Sequence, residues 1–273
     1  MSKEVHALIG RGSVEFGLWW LQLGNKLKPE GREHFKKLSH LIATGQQVFL
    51  SDHIRVLNGY DYTNNITGLE NLVPLKGENI VLLGNHSHLG PLEGYGEMVL
   101  TNYYIKKATD KEIRWIRGQG KSLKEYARRL ADKSLGTIPA RDDIHGARLI
   151  FEAFDNKDTV GLYPEGANSI SLRRADPRAG NLILKAAQKH IPIVPVATHF
   201  KNYTFFLVAD TPLNNEQIQK IAKLERGNKV RFRQILSDYA MARIATHLPS
   251  EKRGYYQNPE KFIDAFEALT STA

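Results

Sequence analysis

A run of nine residues between positions 85 and 93 carries the side chains best suited to acid–base chemistry. Its sequence is Asn85-His86-Ser87-His88-Leu89-Gly90-Pro91-Leu92-Glu93. Histidine exchanges protons near neutral pH, and a carboxylate bonded to one imidazole nitrogen orients the ring and stabilises its protonated form. His88 and Glu93 therefore form a candidate pair of general base and orienting acid, acting on a hydroxyl that the substrate supplies.

Other roles for the same run remain open at this point. His86 instead of His88 could be the base, because it follows Asn85 directly. The two histidines could also be zinc ligands with Glu93, although no third partner stands at a familiar spacing. Because that partner is missing, we expect no metal. The histidines could also be structural, bonded only to backbone. Ser87 lacks the Gly-x-Ser-x-Gly context of a nucleophilic serine, so we do not expect it to act as one.

Two later segments could bind an anionic substrate. Residues 136–141 form a short strand candidate that ends at Arg141, and arginine binds phosphate in a fork geometry. Downstream, an apolar run ends in Tyr163-Pro164-Glu165-Gly166, a turn that sets a carboxylate at the edge of a sheet. Glu165 could bind substrate hydroxyls or hold an arginine.

Two adjacent arginines, Arg173 and Arg174, follow this turn. They could add to an anion site, and a solvated loop explains them equally well. The next apolar run, Ile191-Pro192-Ile193-Val194-Pro195-Val196, is bracketed by prolines. We interpret it as a wall of the site without chemistry of its own.

Alternating apolar runs and helical patterns must position these residues. Strands are predicted at 80–83, 112–117, 136–140, 159–163, 193–198 and 203–209, and helices at 121–133, 144–156, 179–190, 231–248 and 258–270. This alternation predicts an α/β fold with a central, mostly parallel sheet flanked by helices on both faces. Loops after the carboxyl ends of such strands build active sites, and each candidate segment follows a predicted strand.

The first 50 residues differ in texture from the rest of the chain. Their apolar residues recur at helical spacing, with Pro29 and Gly31 as punctuation, and residues 51–78 are rich in turn formers. We therefore predict an N-terminal helical segment, 1–50, and an α/β domain, 51–273.

Composition limits the classes of function. The chain has 273 residues, 41% of them hydrophobic, which suffices for a large core. It has no cysteine, which excludes disulfides and thiol catalysis and fits a cytoplasmic location. A net charge of +9 favours anionic partners. The apolar stretch around Trp19 and Trp20 is too short to span a bilayer; it could pack as a helix on its own domain or lie at a membrane interface. Together with the net charge, it leads us to expect peripheral contact with an anionic membrane. No nucleic-acid-binding motif is present.

Taken in order, four segments resemble those of the glycerolipid acyltransferase family, which includes glycerol-3-phosphate and lysophosphatidic acid acyltransferases. They are residues 85–93, 136–141, 163–166 and 191–196, within a stretch of roughly residues 80–200. That family has a His-x4-Asp box, a stretch ending in arginine, a Pro-Glu-Gly box and a proline-flanked apolar strand. Here the acid is Glu93, and Ala167-Asn168-Ser169 replaces the family's Thr-Arg-Ser.

The resemblance implies transfer of a fatty acyl group from acyl-CoA or acyl carrier protein to a hydroxyl of a phosphate-bearing lipid precursor, without a cofactor. It implies catalysis by His88 and Glu93, with His86 as the alternative base. The residues implied to bind substrate are Asn85, Arg141, Glu165 and Gly166, with Arg173 or Arg174 in place of the arginine missing at 168. The alternatives are an α/β hydrolase or thioesterase, which needs a nucleophile, and a basic, non-enzymatic membrane-binding protein.

Overall fold

A computed structural model describes most of the chain. The described residues are 27–44, 46–57, 63–86, 91–118, 134–140, 144–166, 169–224 and 228–271. The predicted helix at 121–133 and the stretch around Trp19 and Trp20 lie outside them.

One seven-stranded sheet organises the described residues. Its strands are β1 (Thr63–Thr67), β2 (Val81–Gly84), β3 (Ile113–Gly118), β4 (Ile138–Ala140), β5 (Thr159–Leu162), β6 (Ile193–Lys201) and β7 (Thr204–Ala209). Their order is β1-β7-β6-β2-β5-β3-β4. Neighbours from β6 to β4 are parallel, β6 and β7 form an antiparallel hairpin, and β1 runs parallel to β7. The predicted α/β class with a mostly parallel sheet is confirmed.

Helices cover both faces of this sheet. They are α1 (Pro29–Ala43), α2 (Pro91–Thr109), α3 (Ile144–Asp155), α4 (Pro177–Gln188), α5 (Asn215–Leu224), α6 (Lys229–Thr246) and α7 (Glu260–Ser271). Five short 3-10 helices are also described: Leu50–Leu57, Leu69–Asn71, Val73–Leu75, Ser250–Lys252 and Gly254–Tyr256. None of the described helices is long and apolar enough to cross a membrane.

Alternation along each strand divides the core into two layers. Val81 and Leu83 of β2 pack with α3 to α7, whereas Leu82 between them packs with α1 and α2. Successive side chains of a strand point to opposite faces, so a central strand buried on both faces is apolar throughout. This is why the short run 80–83 predicted its strand correctly.

Several elements differ from the prediction. Residues 51–78 were expected to be turns, but they contain the 3-10 helix Leu50–Leu57 and the strand β1. β1 has the sequence TNNIT and lies exposed at the sheet edge, so no apolar alternation marks it. Helix α5 was not predicted either. Pro29 begins α1, and Gly31 lies inside this helix instead of marking a break. The proposed division at residue 50 stays a prediction, although Leu27 and Phe35 are buried in the same layer as Leu82.

Candidate active site

Two of the four predicted site segments meet where neighbouring strands of the sheet end. β5, β2 and β6 lie side by side and parallel, so their carboxyl ends meet at one edge of the sheet. The loops that follow β2 and β5 carry the Asn-His and Pro-Glu-Gly segments. Open parallel sheets place binding sites at this edge.

Asn85 joins the end of β2 to β6. Its Nδ2 donates to the carbonyl oxygen of Thr198, and its Oδ1 accepts from the Thr198 amide, both at 2.8 Å. The Thr198 hydroxyl donates in turn to the buried carboxylate of Glu97 on α2. The Asn85 side chain was predicted to contact substrate, and here it holds the backbone from which His86 extends.

Glu165 occupies the turn after β5 and is almost fully buried. Its Oε2 accepts from the backbone amide of His86 at 3.1 Å, and its Oε1 accepts from the Arg173 amide at 2.8 Å and the Ser169 hydroxyl at 3.1 Å. Burial raises the pKa of this carboxyl, and the three hydrogen bonds oppose part of the rise. Glu165 thus links two parts of the chain to its own turn: the Asn-His segment and the loop at 169–173.

Gly166 completes this turn with a φ of +65°, a left-handed conformation that glycine adopts without strain. Its amide donates to the Tyr163 carbonyl oxygen at 3.1 Å. Gly166 thus shapes the turn that aims Glu165 inward, and its predicted contact with substrate stays a prediction.

The ring of His86 belongs to a stack of three aromatic side chains. Its centroid lies 4.4 Å from that of Tyr163, with 18° between the planes, and Tyr163 lies 4.4 Å from Trp115, with 6° between them. Gly84 and Gly161 make room for the stack. A Cβ on Gly161 would lie 2.4 Å from Cε3 of Trp115, and one on Gly84 would lie 3.2 Å from Cε1 of Tyr163.

His86 also faces a shallow cleft that opens to solvent; its enclosed part measures about 10 Å³, roughly the room of one water molecule. The cleft is lined by Asn85, His86, Glu165, Ile170, Ser171, Leu172, Thr198, His199, Leu248 and Lys252. Sequence reasoning missed His199 and Lys252. The strand predicted at 193–198 was expected to be only a wall and ended one residue before His199, and no motif surrounds Lys252.

Three further predicted site residues are His88, Glu93 and Arg141. His88 and Arg141 lie outside the described residues. Glu93 stands in the first turn of α2, which begins at Pro91, a residue suited to the first helical position. Arg141 follows β4, and β4 is an edge strand three positions from β2 in the sheet.

Arg173 and Arg174 are exposed, and neither is among the described residues that line the cleft. Only the backbone amide of Arg173 contacts Glu165 in the bonds described above. The guanidinium of Arg174 lies 5.6 Å from the ring centroid of Tyr255 and 3.9 Å from the carboxylate of Asp238. Their predicted contribution to an anion site stays a prediction.

Within the part of the chain that the structure describes, no group of three or more His, Asp and Glu side chains is arranged to hold a metal ion. No family model matches the chain, and no curated protein was found to be similar to it.

Proposed function

We propose that the protein is an O-acyltransferase. It transfers a fatty acyl group from acyl-CoA or acyl carrier protein to a hydroxyl of glycerol-3-phosphate, lysophosphatidic acid or a related phospholipid precursor. One observation carries the proposal: the hydrogen bond from the His86 amide to Glu165 joins two predicted boxes that stand 79 residues apart in the chain. A histidine-bearing segment and a carboxylate-bearing turn thereby share one cleft.

The proposed chemistry needs only a base and a well-placed hydroxyl. His88, oriented by Glu93, takes the proton of the acceptor hydroxyl, and the oxygen attacks the thioester carbonyl. The tetrahedral intermediate collapses, the carbon–sulfur bond breaks, and the imidazolium returns its proton to the leaving thiolate. A new ester and a free thiol result, and no acyl-enzyme forms.

Glu165 acts in this proposal as a positioning residue. Its two oxygens already accept three hydrogen bonds from the chain, two of them from backbone amides. Removing a buried acceptor leaves its donors unpaired, which costs roughly 1–3 kcal/mol for each group. The carboxylate therefore supports the function by holding the Asn-His segment in place.

The proposal includes a cytoplasmic location with peripheral contact to an anionic membrane, where lipid precursors reside. Two observations support this contact. The whole chain carries a net charge of +9, and Ile170 at the cleft is 73% exposed. An exposed apolar side chain beside basic residues suits the surface of an anionic bilayer.

The test measures thiol release from acyl-CoA by the full chain. Because the protein contains no cysteine, a thiol reagent detects only the product thiol. Glycerol-3-phosphate, lysophosphatidic acid and their dephosphorylated counterparts serve as acceptors, and acyl carrier protein serves as the alternative donor. We expect release that requires a phosphate-bearing acceptor, together with a new ester detected by mass spectrometry. Release that is equally fast without any acceptor would indicate a thioesterase.

A further inference from the structure

We propose that His199 and Lys252 form an anion-binding site in the same cleft as His86, and that it takes the phosphate group of the acceptor. The proposal rests on the acyltransferase function and adds where the substrate's charge is held. Ala167-Asn168-Ser169 offers no cationic side chain where the resemblance leads one to expect an arginine. Lys252 brings a cation to the cleft from a distant part of the chain.

The backbone holds Lys252 at the cleft. It ends the 3-10 helix Ser250–Lys252, and its carbonyl oxygen accepts from the Leu172 amide at 2.9 Å. The Leu172 carbonyl oxygen accepts from the Tyr255 amide at 2.8 Å. Gly254 permits this close pairing, because a Cβ there would lie 2.1 Å from the Leu172 oxygen. The two segments therefore form one wall of the cleft, and the Lys252 ammonium lies 3.4 Å from the carbonyl oxygen of Ile170.

His199 is only 9% exposed, and its ring lies flat on Phe206 with centroids 4.5 Å apart. Burial lowers its pKa, and the charges of Lys252 and Lys201 lower it further, against an opposing effect of Glu251. The imidazole is therefore neutral at neutral pH and has one ring N–H to donate. A neutral donor beside an ammonium suits a phosphate group, whose oxygens accept several hydrogen bonds.

Phosphate groups occur in the acceptor and in coenzyme A, so the test separates these sources. Calorimetric titrations of the full chain use inorganic phosphate, glycerol-3-phosphate and coenzyme A. We expect Lys252→Gln to weaken binding of the first two about tenfold or more, since a charge-assisted hydrogen bond to the phosphate is lost. The matched control is Lys76→Gln. Lys76 lies before the amino end of β2, at the opposite edge of the sheet, and pairs with Asp110 at 3.1 Å. This variant removes the same charge and should bind as the wild type does.

A second readout follows the His199 ring by NMR. Bound phosphate should raise the pKa of His199 in the wild type, and the free Lys252→Gln variant should also show a raised pKa because a nearby positive charge is gone. Phosphate binding that is equally strong in the wild type and in Lys252→Gln would overturn the proposal. So would a result in which Lys252→Gln weakens the binding of coenzyme A but not that of phosphate or glycerol-3-phosphate. If acyl transfer occurs without Lys252-dependent binding, the acyltransferase function stands and this site is wrong. If Lys252-dependent binding occurs without acyl transfer, the anion site stands and the function is wrong.

Discussion

The imidazole of His86 lies flat on the phenol ring of Tyr163, with centroids 4.4 Å apart and 18° between the planes. Tyr163 in turn lies on Trp115, a buried residue of β3. Tyr163, which directly follows β5, thus orients the His86 ring, and Trp115 of β3 orients Tyr163. Together with the bond from the His86 amide to Glu165, this stack fixes both the backbone and the ring of the residue.

Replacing Tyr163 separates the effect of its ring from that of its hydroxyl. Burial raises the pKa of Tyr163 well above its usual range, with a further rise from the charge of Glu97, so the phenol stays neutral in any assay buffer. Tyr163→Phe keeps both stacked contacts, and Tyr163→Leu loses them. Since an aromatic pair contributes about 0.5–1.5 kcal/mol, we expect Tyr163→Leu to lower the free energy of unfolding by roughly 1–3 kcal/mol.

The NMR resonances of the His86 ring check the same point. They should lose their ring-current shift in Tyr163→Leu and keep it in Tyr163→Phe. Wild-type His86 resonances in the leucine variant would show that the stack does not hold the imidazole.

Adding one methyl group at Gly161 should displace Trp115 and so disturb the stack of Trp115, Tyr163 and His86. A Cβ there would lie 2.4 Å from Cε3 and 2.6 Å from Cδ2 of Trp115, so the indole must move. We expect Gly161→Ala to lower the free energy of unfolding by about 1–3 kcal/mol, the usual range for overpacking. Chemical denaturation measures the change.

Gly96→Ala is the matched control for this change. Gly96 lies inside α2, and a Cβ there would lie 3.6 Å from Cζ of Phe200, an ordinary contact. Since glycine costs a helix about 0.5–1 kcal/mol relative to alanine, this variant should be as stable as the wild type or more stable. Equal stability of the two alanine variants would contradict the tight packing of Trp115 on Gly161.

The stability contributed by Glu165 should depend on pH. Its pKa is raised in the folded protein, mainly by burial, so the folded state holds its proton to higher pH than the unfolded state does. The stabilisation is therefore fully present below the unfolded pKa and is lost as pH rises through the folded one. We expect the advantage of the wild type over Glu165→Gln in unfolding free energy to be largest at low pH and to shrink as pH rises.

Glu33→Gln provides a control of opposite sign. Glu33 is exposed on α1 and bonds Lys36 at 2.8 Å, which lowers the pKa of its carboxyl. The wild type should have a slightly larger unfolding free energy than this variant, and that difference should shrink as pH falls. An advantage over Glu165→Gln that grows with rising pH would mean that Glu165 is stabilised as an anion.

The sequence alone predicted those elements that are marked by a pattern of a few neighbouring residues. The apolar runs that became β2, β5 and β6 are buried on both faces, and such runs are recognisable without a structure. The helix predicted at 179–190 is also present, but it begins two residues earlier, at Pro177. Asp176, which accepts from the Arg178 amide at 2.8 Å, caps this helix and was not recognised as its start. The prediction that Asn85 and Glu165 would share one edge followed from the parallel sheet.

The parts that depend on strand order could not be predicted in this way. Trp115 stacks on Tyr163, the partner of His86, only because β3 pairs with β5 and because Gly161 leaves space for the indole. Neither fact is visible in local sequence. His199 and Lys252 come from a strand end and a 3-10 helix that meet only in the folded chain. β1 was missed because an exposed edge strand needs no apolar alternation.

The most direct test of the central claim is the rate of acyl transfer to glycerol-3-phosphate or lysophosphatidic acid by His88→Ala, measured beside the wild type and His86→Ala. A positioned general base contributes roughly 10²–10⁴ in rate, so kcat of His88→Ala should fall by about that factor while the variant stays folded. His86→Ala should lose less. Wild-type turnover by His88→Ala would contradict the claim that this imidazole takes the acceptor's proton.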